Sequence, residues 1–305
     1  MIETDVSIPA DQTPLAGTLA TPDGEGPFPT ALLIAGSGPL DRDGNHKRLP
    51  LSVSKDLALI LNNAGWASLR FDKRGVGESG GDYLTTGFHD ELADARAALK
   101  WLEAQPSVSS VVPIGHSVGA LYAAELSAAG HAEVGAVLLA YTASTGEETL
   151  IWQAGEIGET IPGWVKTMMK VFRTSIEKQQ AKALTKLKDS SKDVVRLQGQ
   201  RVNAKWMREF LTYDPKPALA KTTAPLLAIT GSKDVQVNPA DIETIDAIAG
   251  DHVTAILVSD VDHILRTETA EFSNPKHYKK QIENPIDERV VEAIVTWLDN
   301  TTPSS

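Results

Sequence analysis

Ser117 stands in the run Val112-Pro113-Ile114-Gly115-His116-Ser117-Val118-Gly119-Ala120, where a strand-like apolar stretch gives way to a helix-like one. A hydroxyl presented as a nucleophile on so tight a turn needs clearance, and residues without side chains two positions to either side supply it. Gly115 and Gly119 occupy those positions. The same turn puts Ser117 at a helix N-terminus, where backbone N–H groups and the helix dipole favour developing negative charge. The chemistry implied is attack on an acyl carbon. A serine capping an ordinary helix would use the same residue types, but the strand before and the helix after are the context a nucleophile requires.

A serine is a weak nucleophile until a base, itself oriented by an acid, removes its proton. In α/β proteins the reacting groups gather at the carboxyl ends of strands. Two later apolar runs, Pro225–Thr230 and Val253–Val258, lead into Gly231-Ser232-Lys233-Asp234 and Ser259-Asp260-Val261-Asp262-His263. Asp234 and His263 therefore follow consecutive strand ends, in the chain order Ser, Asp, His. Seven histidines compete for the base. His252 precedes its strand, His89 and His131 border helices, and His277 lies in a polar loop. His116 sits inside the turn and is expected to pack there or line the pocket, and His46 could line it from the loop after Pro39. Asp260 and Asp262 rival Asp234, but so close to His263 in sequence they are poorly placed to face it across a cleft.

Acyl transfer also needs two N–H donors aimed at the developing oxyanion. Val118, following the nucleophile, is one. The other is expected in Gly36-Ser37-Gly38-Pro39, which ends the apolar run Thr30–Ala35; Ser37 is the first choice and Gly38 the next. Two further loops invite ligand readings. Asp41-Arg42-Asp43-Gly44-Asn45 has alternating oxygen ligands but lacks the Gly and Glu a calcium loop needs, so a polar loop held by side-chain-to-backbone bonds is expected. Asp72-Lys73-Arg74-Gly75-Val76-Gly77-Glu78-Ser79 lacks a nucleotide cradle's helix entry and reads as a structural turn pinned by Asp72 and Arg74. No metal and no cofactor is expected.

The elements that must position these groups follow from patterning. Unbroken apolar runs suit strands buried on both faces. They occur at Thr30–Ala35, Trp66–Phe71, Val108–Ile114, Val134–Ala140, Pro225–Thr230 and Val253–Val258, after two shorter strands at Val6–Ile8 and Leu15–Ala20. Helical spacing lies between them at Val53–Leu61, Phe88–Leu102, Val118–Ala129, Ile242–Ala249 and Val290–Leu298, the last with Asn284 as its expected cap. The alternation implies an α/β fold with a mostly parallel, doubly wound sheet. It breaks between residues 143 and 221, where helical spacing at Val165, Met168, Phe172 and Ile176, and again at Val194, Leu197, Trp206 and Phe210, predicts an all-helical insertion. The expected organisation is a catalytic core over 1–142 and 222–300, a helical lid over 143–221, and a disordered tail over 301–305.

Taken together, Gly115–Gly119, Gly36–Pro39, Asp72–Ser79, Gly231–Asp234 and Asp262-His263 resemble the α/β-hydrolase superfamily across nearly the whole chain. Ile34–Asn45 and Tyr213-Asp214-Pro215 look like its bacterial carboxylesterase and serine-aminopeptidase-like members. Ala35-Gly36 departs from the His-Gly pair many members carry there, which removes a side-chain contribution but not the backbone donors. The resemblance implies serine acyl transfer to water on a small ester or acyl substrate. A thioesterase, an aminopeptidase, or a receptor on the same scaffold are the alternatives. The lid's underside is expected to supply an apolar pocket, with Gly38, His116, Trp152, Trp164, Met168, Phe172, Trp206 and Phe210 as lining residues.

Composition narrows the partners. The 305 residues include no Cys, which excludes disulfides, thiolate metal sites and a cysteine nucleophile. A formal charge of −11 argues against nucleic acid as a partner, and no apolar run is long enough for a membrane span. The N-terminus lacks the plan of a signal peptide, so a cytoplasmic protein, monomer or dimer, is expected. The charge is uneven. Residues 161–221 hold fourteen Lys/Arg and five Asp/Glu, whereas the rest holds fifteen and thirty-five. A cationic lid over an acidic body could simply be solvated and favour docking, or it could attract anionic substrates.

Overall fold

A computed structural model describes the chain except for Gln12, Glu133, residues 160–175 and residues 302–305. The expected strands form one eight-stranded sheet in the order β1-β2-β4-β3-β5-β6-β9-β10. Their ranges are β1 Ile2–Ile8, β2 Leu15–Thr21, β3 Phe28–Ile34, β4 Ala67–Phe71, β5 Val108–His116, β6 Ala136–Leu139, β9 Leu226–Gly231 and β10 Val253–Val258. Only β1–β2 and β2–β4 pair antiparallel; every pair from β4 to β10 is parallel.

The central apolar runs are buried on both faces because strand side chains alternate, whereas β10, at the sheet edge, is buried only in part. In β3, Ala31 and Leu33 join one core while Leu32 and Ile34 join the other. Helix α1 (Val53–Asn63) and the C-terminal helix (Glu288–Thr301) cover the first face with Leu57, Leu61, Ile294 and Leu298. Helices α2 (Phe88–Glu103), α3 (Val118–Ala128) and the later Asp241–Ala249 cover the second with Leu99, Leu121 and Ile245. Helix α3 is buried almost all round, which places it at the centre of its layer.

The topology decides where chemistry can happen. From β3 the chain crosses through α1 to β4 on one side, then through α2 to β5 on the other. The carboxyl ends of β3 and β5 therefore flank a switch point, where crossovers part and leave a crevice. Ile34 is in register with Gly115, so the turns after both strands meet there.

The insertion lies between β6 and β9. It contains helices α4 (Gly146–Glu159), α5 (Ile176–Lys188), α6 (Ala204–Thr212) and α7 (Lys216–Lys221). One expectation is corrected: Val194 and Leu197 lie not on a helix but in a hairpin, β7 (Val194–Leu197) with β8 (Gln200–Asn203). Gln198 and Gly199 both take positive φ, the two-residue turn that matches the twist of paired strands. The C-terminal helix also begins later than expected, at Glu288 rather than beside Asn284; Asp287 accepts the Arg289 N–H at 3.0 Å. Among the described residues no helix is long and apolar enough to cross a membrane.

Candidate active site

Ser117 is held at φ 55°, ψ −123°, in a region few residues other than glycine adopt. Its N–H is anchored by the Leu139 carbonyl of β6 at 2.8 Å. The flanking glycines are required by contact. A Cβ on Gly115 would collide with the Gly119 carbonyl, and one on Gly119 with the Ile34 carbonyl of β3. Strand, turn and helix are thus pressed together, and the partly exposed serine is what the turn presents.

Asp234 and His263 come together after β9 and β10. His263 Nδ1 lies 2.7 Å from Asp234 Oδ2, and both side chains are buried. Because a carboxylate only accepts, Nδ1 carries a proton, which in the neutral ring leaves the lone pair on Nε2. The other oxygen, Asp234 Oδ1, accepts the N–H groups of Gln236 and Val237 at 2.7 and 2.8 Å, which fixes the carboxylate's orientation. The two rivals are otherwise engaged. Asp260 pairs with Lys233 at 2.9 Å. Asp262 Oδ1 accepts the Ile264 and Arg266 N–H groups of its own loop, and burial raises its carboxyl to about 6.

His116 does not line the cavity as expected. It is buried behind the serine, and its Nε2 donates to the His263 carbonyl at 2.7 Å, the two rings 4.9 Å apart. Burial above all, then the neighbouring His263, lowers its pKa to about 3, so at neutral pH it is an uncharged donor. No hydrogen bond joins the Ser117 hydroxyl to the His263 imidazole, whose ring lies 4.9 Å from that of His116, the serine's neighbour in the chain, a looseness common before substrate arrives.

A protein-family model described as serine aminopeptidase, S33, matches residues 51–270. The chain belongs to this family of α/β-hydrolases. Its sequence is 29% identical to esterase EstD of Thermotoga maritima over 288 residues, which is 93% of this chain and 65% of EstD. The chain thus spans just under two thirds of that relative's length. Its fold is similar to that of Est1E from Butyrivibrio proteoclasticus with ferulic acid bound (TM-score 0.65, 16% identity, 97% of this chain and 98% of the other). It is also similar to a Pyrococcus furiosus esterase (TM-score 0.66, 18% identity, 99% and 92%) and to a Mycobacterium smegmatis proline iminopeptidase (TM-score 0.64, 14% identity, 98% of each). The turn at Ser117, between β5 and α3, has the nucleophile-elbow architecture of this family.

In this S33-family member a cavity of about 520 Å³ opens over Ser117. Ser37, Gly38, Ser117 and Val118 share its wall. Gly36 presses against the serine, its Cβ position 3.2 Å from Ser117 Cβ, which brings the turn after β3 to the nucleophile. Val118 opens α3, so its N–H belongs to the first helical turn and has no intrahelical acceptor. Trp206 and Phe210 line the apolar side, as expected, and His46 reaches it too. Trp152 does not: it lies on a separate cavity behind Asp234, with Lys233 and Phe272. Trp164, Met168 and Phe172 fall outside the described residues.

The sequence reading missed Tyr83 and Leu84, from the short turn before α2, and Leu121, Gln153 and Arg201. It also missed Arg266, fully buried behind the His263 loop. Arg266 donates to the Ile264, Asn284 and Leu51 carbonyls and pairs with Asp56 of α1 at 2.5 Å. Burial lowers its pKa from the usual guanidinium value. An arginine three residues past a histidine has no distinguishing pattern; only the fold shows that it ties the base's loop to α1. The two polar loops are structural. Asp41 Oδ1 accepts the Asp43 and Asn45 N–H groups, Asp72 holds Arg42 at 2.7 Å, and Arg74 holds Asp94 at 2.6 Å.

Proposed function

We propose that the chain hydrolyses carboxylic esters of small molecules through an acyl-enzyme on Ser117. His263 Nε2 takes the Ser117 proton as Oγ attacks the ester carbonyl, and the N–H groups of Ser37 and Val118 receive the negative charge on oxygen. The C–O bond to the alcohol breaks, and the alcohol leaves with the proton from His263. Water then attacks the acyl-enzyme, giving its proton to His263, which returns it to Ser117 as the acid departs. Asp234 keeps Nδ1 protonated and stabilises the imidazolium that forms in each half. Residues 143–221 act as the lid that walls the acyl pocket.

One observation favours an ester over an N-terminal peptide. No Asp or Glu is among the described residues that line the cavity, and its wall is made largely of apolar and uncharged polar groups. A protonated amine brought there would lose its hydration without gaining a carboxylate. The EstD, Est1E and Pyrococcus likenesses agree with an esterase. A panel of p-nitrophenyl esters of graded chain length, acyl-CoA thioesters and aminoacyl p-nitroanilides tests this. Esters should lead by roughly a hundredfold in kcat/KM. A leading aminoacyl anilide or thioester would overturn the assignment.

A further inference from the structure

The hairpin of the insertion carries a charge arrangement that its own stability does not explain. Arg196 of β7 is in direct register with Arg201 of β8. Like charges on opposed residues of an antiparallel pair repel, and such pairs are destabilising. The repulsion is not relieved from within the protein. Among the described residues, Arg196 and Arg201 have no carboxylate within ion-pair distance. The nearby Asp193 is engaged at 3.8 Å by Arg208 instead. Two lysines add to the same place: Arg196, Arg201, Lys186 and Lys192 line one cleft of about 590 Å³, and no Asp or Glu is in its lining. The Lys186 amine donates to the Arg196 carbonyl at 2.7 Å, which fixes one cation over the hairpin.

This cleft and the cavity over Ser117 share one lining residue. Arg201 lines both the cationic cleft and the cavity over Ser117, and it is the only Lys, Arg, Asp or Glu among the described residues of that cavity. A chain with an excess of eleven acidic charges has therefore placed its one formal charge at the catalytic cavity as a cation. We infer that the Arg196–Arg201 pair, with Lys186 and Lys192, binds a carboxylate at the far end of the substrate's acyl chain, so that the preferred esters are half-esters of dicarboxylic acids. The guanidinium fork suits a carboxylate, and an anion between the two arginines offsets their mutual repulsion. This rests on the ester reading above and specifies its substrate.

The test compares p-nitrophenyl hydrogen adipate with its methyl ester, which differs by one charge at nearly equal length. The half-ester should be preferred in kcat/KM by at least about tenfold at low salt, and the preference should shrink at high salt, where screening is effective within a few ångströms. In R196Q/R201Q the ratio should fall to near one, and R196K/R201K should retain most of it. A ratio of one in the unaltered protein, or one that is unmoved by R196Q/R201Q, overturns the carboxylate site and leaves the ester reading standing. If neither ester is hydrolysed, calorimetry of monomethyl adipate on Ser117→Ala decides: binding that is lost in the added R196Q/R201Q supports the site while the ester reading falls. No binding there overturns both.

Discussion

At the scale of single residues, the site is a set of side chains whose protons and lone pairs are assigned by their neighbours. Asp234 spends one oxygen on two backbone N–H groups and the other on His263 Nδ1. Asp234→Asn keeps the shape but offers an amide where Nδ1–H needs an acceptor, which favours the wrong imidazole tautomer. Its kcat should fall by about 10³–10⁴ while the thermal transition stays within a few degrees, as the homologous change does in other triads. An Asp234→Asn protein with near-normal kcat would remove Asp234 from the mechanism. The positions of Asp234 and His263 were legible in sequence because each lies within a few residues of a strand end. His116 and Arg266 were not, because both act on the base's loop from elsewhere in the chain, and nothing local marks a residue whose partner is another backbone's carbonyl.

His116 also makes a prediction about pH. Its folded-state pKa, about 3, lies below the ordinary value of 6.5, so the unfolded chain binds this proton more readily. The stability it contributes is complete above pH 6.5 and is lost as pH falls toward 3. His263, Asp234 and Arg266 are the charged or titratable groups that act on it. His116→Gln keeps a donor for the His263 carbonyl and does not titrate. Its denaturation free energy should be lower than the parent's at pH 8 and should converge on it as pH falls from 6.5 toward 4. Carboxylates that titrate in that range, Asp94 and Asp262 among them, are common to both proteins and cancel in the difference. Parallel profiles would show that His116 is not the neutral, buried donor described.

At the scale of elements, the switch point between β3 and β5 puts Ser117 and the turn after β3 together, and residues of the insertion wall the cavity above them. The second half of that insertion is clamped to the body. Asn203 Oδ1 accepts the Trp206 N–H at the start of α6, and its Nδ2 donates to the Tyr83 and Thr86 carbonyls at 2.6 and 2.7 Å. Lys205 pairs with Asp90 at 2.6 Å, and Glu209 accepts the His89 N–H, both on α2. Asn203→Ala would therefore lose a helix cap and take the Nδ2 donor from the buried Thr86 and part-buried Tyr83 carbonyls. A loss of about 2–4 kcal/mol in denaturant unfolding is expected, with KM raised more than kcat is lowered, since Tyr83, Asn203 and Trp206 wall the cavity. A change below about 0.5 kcal/mol would mean that the clamp is not there.

The elements of the sheet were legible because unbroken apolar runs and helical spacing alternate without ambiguity. The hairpin was not. Val194 and Leu197 stand three apart, as on a helix, and four-residue strands are too short to show their own period. The usable signal was Gly199 at the turn, preceded by the β-branched Val194-Val195. Burial of α6 against α2, through Phe88, Trp206 and Phe210, agrees with the helical reading given to that part of the insertion.

At the scale of the whole molecule, an acidic body carries a cationic inserted segment, and among the described residues the cavity is lined by apolar and uncharged polar groups with one arginine. That distribution is the ground for the proposed preference for uncharged or anionic acyl compounds over amines. The claim on which everything else depends is that Ser117 is an activated nucleophile. A fluorophosphonate probe tests it directly: intact-mass and peptide analysis should show one adduct, on Ser117, that is absent in Ser117→Ala and much slowed in a His263→Ala protein. A folded protein that takes up no probe, or that takes it up on another residue, would contradict the account.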